Sequence, residues 1–291
     1  MTLSIAHLGP PGTYSEQAAV FYLNWLSKST GDAAILSPYP SISQSLQAVA
    51  DGQAQLAVVP VENSIEGSVT MTLDTLWQLD SLQIQLALVL PIVHTLISCA
   101  TSLDSIKTVY SHPQALAQCQ GWLERFLPTV QIIANNSTTE ALQQLEQDPT
   151  TAAIASSRAA QLYNLPILAN AINDYPENFT RFLVISQRET NTGHYTSKAG
   201  ASHTSLAFST PANIPGALVK PLQIFAQLGI NLSRIESRPT KRSLGEYLFF
   251  IDVEADANEA QMKSALAELG IYTEILKILG AYNVLPVSVL D

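Results

Sequence analysis

With 291 residues, 47% of them hydrophobic and 13% charged, the chain is long enough for two packed domains and too apolar to stay disordered. A formal charge of −10 disfavours non-specific nucleic-acid binding and obliges any anionic ligand to find a local positive site. Two cysteines, Cys99 and Cys119, and five dispersed histidines suggest neither a disulfide framework nor a metal site.

The segment Met1–Leu8 lacks a basic region and reaches Gly9-Pro10 too soon for a signal peptide. No apolar run approaches the roughly 20 residues that span a bilayer. A reducing cytoplasm is the expected location, without membrane partners. Leu3–Leu8 reads as a buried strand ending in a Gly-Pro-Pro-Gly turn, and a helix is expected to start near Ser15. A helix over Ser43–Ala50 and a strand over Leu56–Val61 follow. Leu86–Val93, Thr108–Tyr110 and Ala152–Ala155 read as strands, with helices over Ala115–Phe126 and Thr139–Leu145. This alternation is that of an α/β fold.

Residues 189–203 are polar and aperiodic and read as a linker. Beyond them, strands are expected over Thr204–Ser209, Ile230–Glu236, Tyr247–Val253 and Thr273–Leu279. Helices are expected over Gly216–Leu228 and Asn258–Leu269. That βαββαβ order is the ferredoxin-like plan.

Four segments carry candidate chemistry. Gly9-Pro10-Pro11-Gly12-Thr13-Tyr14-Ser15-Glu16-Gln17-Ala18-Ala19 sets the Thr13 and Ser15 hydroxyls at a helix start, which suits an anion or simply a capped turn. No Lys-Ser or Lys-Thr follows Gly12, so a nucleotide loop is disfavoured. Pro60-Val61-Glu62-Asn63-Ser64 places a carboxylate and a carboxamide just past a strand. In Ser111-His112-Pro113-Gln114-Ala115-Leu116-Ala117-Gln118-Cys119, Gln118 is expected two turns along a helix face from Ser111. His112 reads as a structural hydrogen-bonding residue and Cys119 as packing. Thr180-Arg181-Phe182 offers a hydroxyl donor, a fork for a carboxylate and an apolar wall. The plainer alternative is a strand carrying one buried ion pair. In Asn135-Asn136-Ser137-Thr138-Thr139-Glu140, Ser137 and Thr138 suit either a carboxylate ligand or a helix cap, capping being the plainer reading.

In this order, and with Glu236-Ser237-Arg238-Pro239 in the C-terminal module, the segments closely resemble prephenate dehydratase with a regulatory ACT domain. The resemblance spans nearly the whole chain outside the linker. It implies a two-lobed, periplasmic-binding-protein-like catalytic domain over residues 1–188. A linker at 189–203 and a ferredoxin-like ACT domain over 204–284 complete the division. It also implies a lyase that converts prephenate to phenylpyruvate in phenylalanine biosynthesis, with no cofactor and no metal. Thr180 is the expected catalytic group. Asn63, Glu62, Ser111, Gln118, Arg181, Phe182, Thr13 and Ser15 are expected at the substrate. Gly216, Ala217, Leu218 and Val219, with Glu236, Ser237, Arg238 and Pro239, are expected to bind phenylalanine as allosteric effector in a homodimer or homotetramer. Arogenate dehydratase and a non-catalytic amino-acid sensor are the alternatives. With no helical segment ahead of Gly9, a chorismate mutase fusion is not expected.

Overall fold

The computed structural model describes residues 2–135, 142, 145–188 and 200–287. The expected segment Asn136–Glu140, most of the helix at Thr139–Leu145 and residues 189–199 of the linker lie outside them. Strand β1 (Leu3–Leu8) leads through the Gly-Pro turn to α1 (Tyr14–Thr30). The N-cap of α1 is Thr13 rather than Ser15, because Thr13 Oγ1 accepts the Glu16 N–H at 3.3 Å. Then come β2 (Ala34–Tyr39), α2 (Ile42–Ala50), β3 (Leu56–Asn63), β4 (Gly67–Ser68), α3 (Thr70–Gln78) and β5 (Leu82–Pro91).

The chain next crosses into a second lobe. This holds β6 (His94–Ile97), β7 (Thr108–Ser111), α4 (Pro113–Ala117), α5 (Gln120–Phe126), β8 (Gln131–Ala134), β9 (Thr151–Ser156), α6 (Ser157–Leu162) and β10 (Ile167–Ala169). It returns to the first lobe with β11 (Phe179–Gln187). The second lobe's sheet has the order β10-β6-β9-β7-β8.

The helix expected over Ala115–Phe126 is two short helices broken at Gln118-Cys119. The Asp174 carboxylate accepts the N–H groups of Gly121 and Trp122, each at 2.8 Å, and so starts a second helix there. Ser111 ends strand β7 and shares no helix face with Gln118, which corrects the spacing expected from sequence. His112 caps α4, its Nδ1 accepting the Gln114 N–H at 3.3 Å.

The C-terminal module is β12 (His203–Ser209), α7 (Val219–Gln227), β13 (Leu232–Pro239), β14 (Tyr247–Val253), α8 (Ala260–Leu269) and β15 (Ile275–Pro286), the expected βαββαβ order. Helix α7 begins later than expected because Gly216, at φ 84°, holds a turn ahead of it. Strand β15 runs past Leu279. Its first half pairs with β12, and its second half pairs in parallel with β5 of the first lobe. The result is one continuous sheet, β13-β14-β12-β15-β5-β11-β3-β1-β2.

Gly280 is what allows this change of partner. A Cβ there would lie 2.4 Å from the Ile84 carbonyl oxygen. Strand alternation then divides the core. Leu206, Phe208, Ile251 and Val253 pack beneath α7 and α8. Ala207, Leu248 and Phe250 face the other way and share a cluster with Leu46, Val49, Leu73 and Leu76 of the first lobe. Each fully buried large side chain there is worth about 1.5–3 kcal/mol. The module is thereby welded to the lobe by apolar burial as well as by strand pairing.

Candidate active site

Two crossing segments connect the lobes, Ile92-Val93 outward and residues 170–178 on return. They are tied together: Ile92 N–H donates to Asn178 O at 2.8 Å, and Asn173 bonds both Ile92 O and the His94 N–H. Around this seam the structure gathers Asn63, Gln118 and Thr180, three of the polar side chains singled out in the sequence.

Strands β11 and β3 run antiparallel, with Thr180 opposite Asn63 and Arg181 opposite Glu62. The register skips Val61, a bulge of the kind that re-aims side chains. Asn63 Nδ2 donates to Thr180 Oγ1 at 2.9 Å and to Asn178 Oδ1 at 2.8 Å. Asn63 Oδ1 accepts the N–H groups of Ile65 and Glu66, both at 3.0 Å. Asn178 Nδ2 donates to Gln118 Oε1 at 2.9 Å, and Gln118 Nε2 donates to Glu66 at 3.2 Å. The His94 ring meets Gln118 Oε1 through Nε2 at 2.9 Å and the Tyr14 hydroxyl through Nδ1 at 3.0 Å. One hydrogen-bonded row therefore runs Thr180–Asn63–Asn178–Gln118–His94–Tyr14, across both lobes.

Burial pushes His94 below the ordinary imidazole range against the opposing Gln118 bond, and raises the Tyr14 phenol. Both shifts disfavour the charged form. Thr180 is buried, and its hydroxyl proton has no acceptor among the described residues.

The neighbouring Arg181 faces the other side of the sheet, since successive residues of a strand alternate. Its guanidinium donates to Glu62 at 2.7 Å and to Asp252 of β14 at 2.8 Å. In place of the expected carboxylate clamp, Arg181 follows the alternative of a buried ion pair on a strand. Phe182 is 1% exposed and packs with Ala18, Ala19 and Tyr22, so it belongs to the core rather than to a cleft wall. Ser111 also stands apart from the row: its hydroxyl donates to Ile154 O at 2.6 Å, away from solvent.

The Gly9–Ala19 segment joins the lobes. Glu16 accepts the Gly12 N–H and a bidentate pair from Arg158 of α6, both of whose bonds are 3.0 Å. Ser156 donates to Gly12 O. Burial would raise the Glu16 pKa, yet the Arg158 and Gly12 bonds outweigh it and lower the value. Thr13 donates to Pro10 O, and Ser15 is buried in the first turn. Cys119 is buried at the helix break, its thiol raised to about 12 by burial. Among the described residues, no cluster of His, Cys, Asp and Glu could hold a metal ion, and no helix is long and apolar enough to cross a membrane.

In the C-terminal module, Gly216, Ala217, Leu218 and Val219 line a cavity of about 430 Å³ with Arg242, Glu246, Tyr247 and Glu274. Glu236 and Arg238 are directed elsewhere. Ser68 donates to Glu236 at 3.0 Å, and Arg238 forms a bidentate pair with Asp74 of α3. None of Glu236, Ser237, Arg238 and Pro239 lines that cavity, although Thr240, next along the chain, does.

A prephenate dehydratase family model matches residues 5–190, and an ACT domain model matches residues 204–271. The chain belongs to the prephenate dehydratase family. It is 41% identical over 280 residues to the bifunctional chorismate mutase/prephenate dehydratase of Aquifex aeolicus, covering 96% of this chain and 73% of that one. A solved prephenate dehydratase from Arthrobacter aurescens, in complex with L-Phe, aligns with a TM-score of 0.84 at 34% identity, over 97% of this chain and 90% of that one. GqqA, described as a quorum quenching acylase, aligns with a TM-score of 0.79 at 29% identity, over 96% and 97% of the two chains.

Three members of the row, Tyr14, His94 and Asn178, were not among the site residues expected from sequence; Tyr14 stands between the expected Thr13 and Ser15. Asn178 stands in the segment that opens the Thr-Arg-Phe triplet, but its part lies in long-range bonds. His94 follows a strand and carries no local signal at all.

Proposed function

We propose that the chain catalyses the decarboxylating dehydration of prephenate to phenylpyruvate. The observation that carries this reading is the Thr180 hydroxyl, held as acceptor by Asn63 with its own proton undirected. Prephenate has two carboxylates, a keto group and a ring hydroxyl. Loss of CO2 with the hydroxyl aromatises the ring, so the reaction is downhill and calls for no redox chemistry.

Thr180 donates a hydrogen bond to the departing hydroxyl and stabilises the negative charge that develops on it. Accepting from Asn63 polarises the Thr180 O–H and strengthens it as a donor. A free threonine hydroxyl is a weak acid, so stabilisation of charge rather than full proton transfer is its contribution. Asn63 and Gln118 orient the substrate, and the start of α1 supplies N–H groups for a carboxylate. An acylase reading finds less support, because among the described residues the row holds no Ser–His or Cys–His pair to activate a nucleophile.

L-phenylalanine is the effector, taken at the Gly216–Val219 cavity. That none of Glu236–Pro239 lines the cavity supports a site completed by a second copy, in a homodimer or homotetramer. Residues 1–188 form the catalytic part and 204–284 the regulatory one, and the enzyme works in the cytoplasm.

The test is phenylpyruvate release from prephenate, with arogenate in parallel and L-phenylalanine titrated in. Turnover of prephenate suppressed by phenylalanine supports both halves. Preference for arogenate changes the substrate, and no turnover of either removes the enzymatic reading.

A further inference from the structure

The polarity of the hydrogen-bonded row is set from one end. Amide oxygen and nitrogen are alike in shape, so only an unambiguous partner can orient a carboxamide. The backbone N–H groups of Ile65 and Glu66 are such partners, and both point at one atom of Asn63. That atom must be Oδ1. Asn63 Nδ2 then faces Asn178, which must offer its oxygen. The Asn178 nitrogen consequently faces Gln118 and meets its oxygen. Gln118 Oε1 also faces His94 Nε2 at 2.9 Å, so this ring nitrogen must carry a proton. With Nε2 protonated in a neutral ring, His94 Nδ1 carries no proton and shares the single Tyr14 O–H with Val93 O, the two acceptors lying at 3.0 and 2.9 Å. A doubly protonated ring would satisfy the same contacts. The ring is 3% exposed, and neither of its nitrogens bonds a carboxylate, which favours the neutral form.

We propose that His94, as its neutral Nε2–H tautomer, is a positioning residue: its N–H holds the Gln118 amide, and Gln118 in turn holds Asn178 against Asn63, whose own orientation toward Thr180 the Ile65 and Glu66 N–H groups fix. The consequence for turnover rests on the dehydratase reading, whereas the tautomer does not. Removing the His94 donor leaves Gln118 Oε1 free to turn, and the nitrogen of Asn178 then loses its fixed acceptor. The effect falls on alignment in the transition state more than on the affinity of the ground state.

Nitrogen-15 NMR of the full chain, with the His94 ring assigned by its loss in His94→Gln, reads the protonation state whether or not prephenate turns over. A neutral Nε2–H ring at pH 7 is expected. An Nδ1–H ring or a doubly protonated one overturns the inference. Kinetics with prephenate give the second readout. His94→Asn reproduces only the Nδ1 end of the ring, and a fall in kcat of about ten-fold or more is expected with KM within about three-fold. His94→Gln presents an N–H near the Nε2 position and should recover most of the loss. Equal impairment of both variants at unchanged melting temperature, or full activity of His94→Asn, overturns it.

Discussion

The Arg181 guanidinium lies 2.8 Å from the Asp252 carboxylate, joining β11 of the first lobe to β14 of the ACT module. Asp252 is 3% exposed and also accepts from Arg234 at 3.0 Å and from the Ser205 hydroxyl. The Ser205 oxygen in turn meets Tyr282 at 2.7 Å. Glu62 completes the balance of two cations and two anions. The cluster is not fully satisfied, since Arg181 Nε and Arg234 Nη1 are buried without acceptors. An arginine that stands beside the Thr180 hydroxyl in sequence therefore touches the regulatory module in space.

Arg181→Lys is expected to lower the melting temperature by several degrees while leaving KM for prephenate within about three-fold, because Nη2 bridges the two carboxylates from the end of a longer side chain and a strongly hydrated ammonium is held less well in that buried place. Asp252→Asn should cost more, about 3–5 kcal/mol, since two buried guanidinium groups lose their shared anion. Thermal denaturation beside steady-state kinetics decides this. A ten-fold rise in KM for Arg181→Lys at unchanged melting temperature would return Arg181 to the substrate.

Thr180→Ala is expected to lower kcat by about 10²–10⁴, with Thr180→Ser less affected. Asn63→Asp is the sharper probe. It replaces the Nδ2 donor by an oxygen that faces Asn178 Oδ1 and competes for the Thr180 proton. Its kcat should fall at least as far as that of Asn63→Ala, by about 10² or more. A folded Asn63→Asp enzyme with unchanged kcat would remove the polarity argument.

Acid should loosen the joints between the bodies. Glu16, Asp74 and Asp252 each pair across one: Glu16 with Arg158, Asp74 with Arg238 and Lys241, and Asp252 with Arg181. In each, burial raises the pKa and the cationic partners outweigh it, so the folded value is lowered. A carboxylate with a lowered folded pKa contributes stability that is present above its unfolded pKa, about 4. That stability is lost as pH falls through the folded value. Melting temperature should hold from pH 7 to about 5 and decline below about 4, more shallowly in Asp252→Asn. A melting temperature that rises on acidification would contradict the sign.

Gly280→Ala should destabilise by about 1–3 kcal/mol or more, because the new Cβ meets the Ile84 backbone and side chain at 2.4–2.9 Å, where nothing soft can yield. A thermal melt indistinguishable from that of the parent chain would refute the close approach.

Local pattern carried much of the architecture. Leu3–Leu8 and Tyr247–Val253 were legible as strands at their observed limits, because apolar runs bounded by turn residues need only neighbouring residues to be read. The α/β alternation and the βαββαβ module were legible for the same reason, whereas Asn63, Gln118 and Thr180 were expected at the site through the resemblance of their motifs to those of the family. The direction of side chains was less accessible. A strand reading already implies that Thr180 and Arg181 face opposite ways. Which face meets Asn63 and which meets Asp252 depends on the register of β11 against β3 and on the packing of β14, 71 residues away from Arg181. The helix break at Gln118 depends on Asp174, more than 50 residues along the chain. His94 takes its place only because the lobes meet at the crossing segments. Hydrophobic period and turn chemistry act between neighbours, so a chain displays them openly. Hydrogen bonds and ion pairs across a seam arise only once folding has chosen the register.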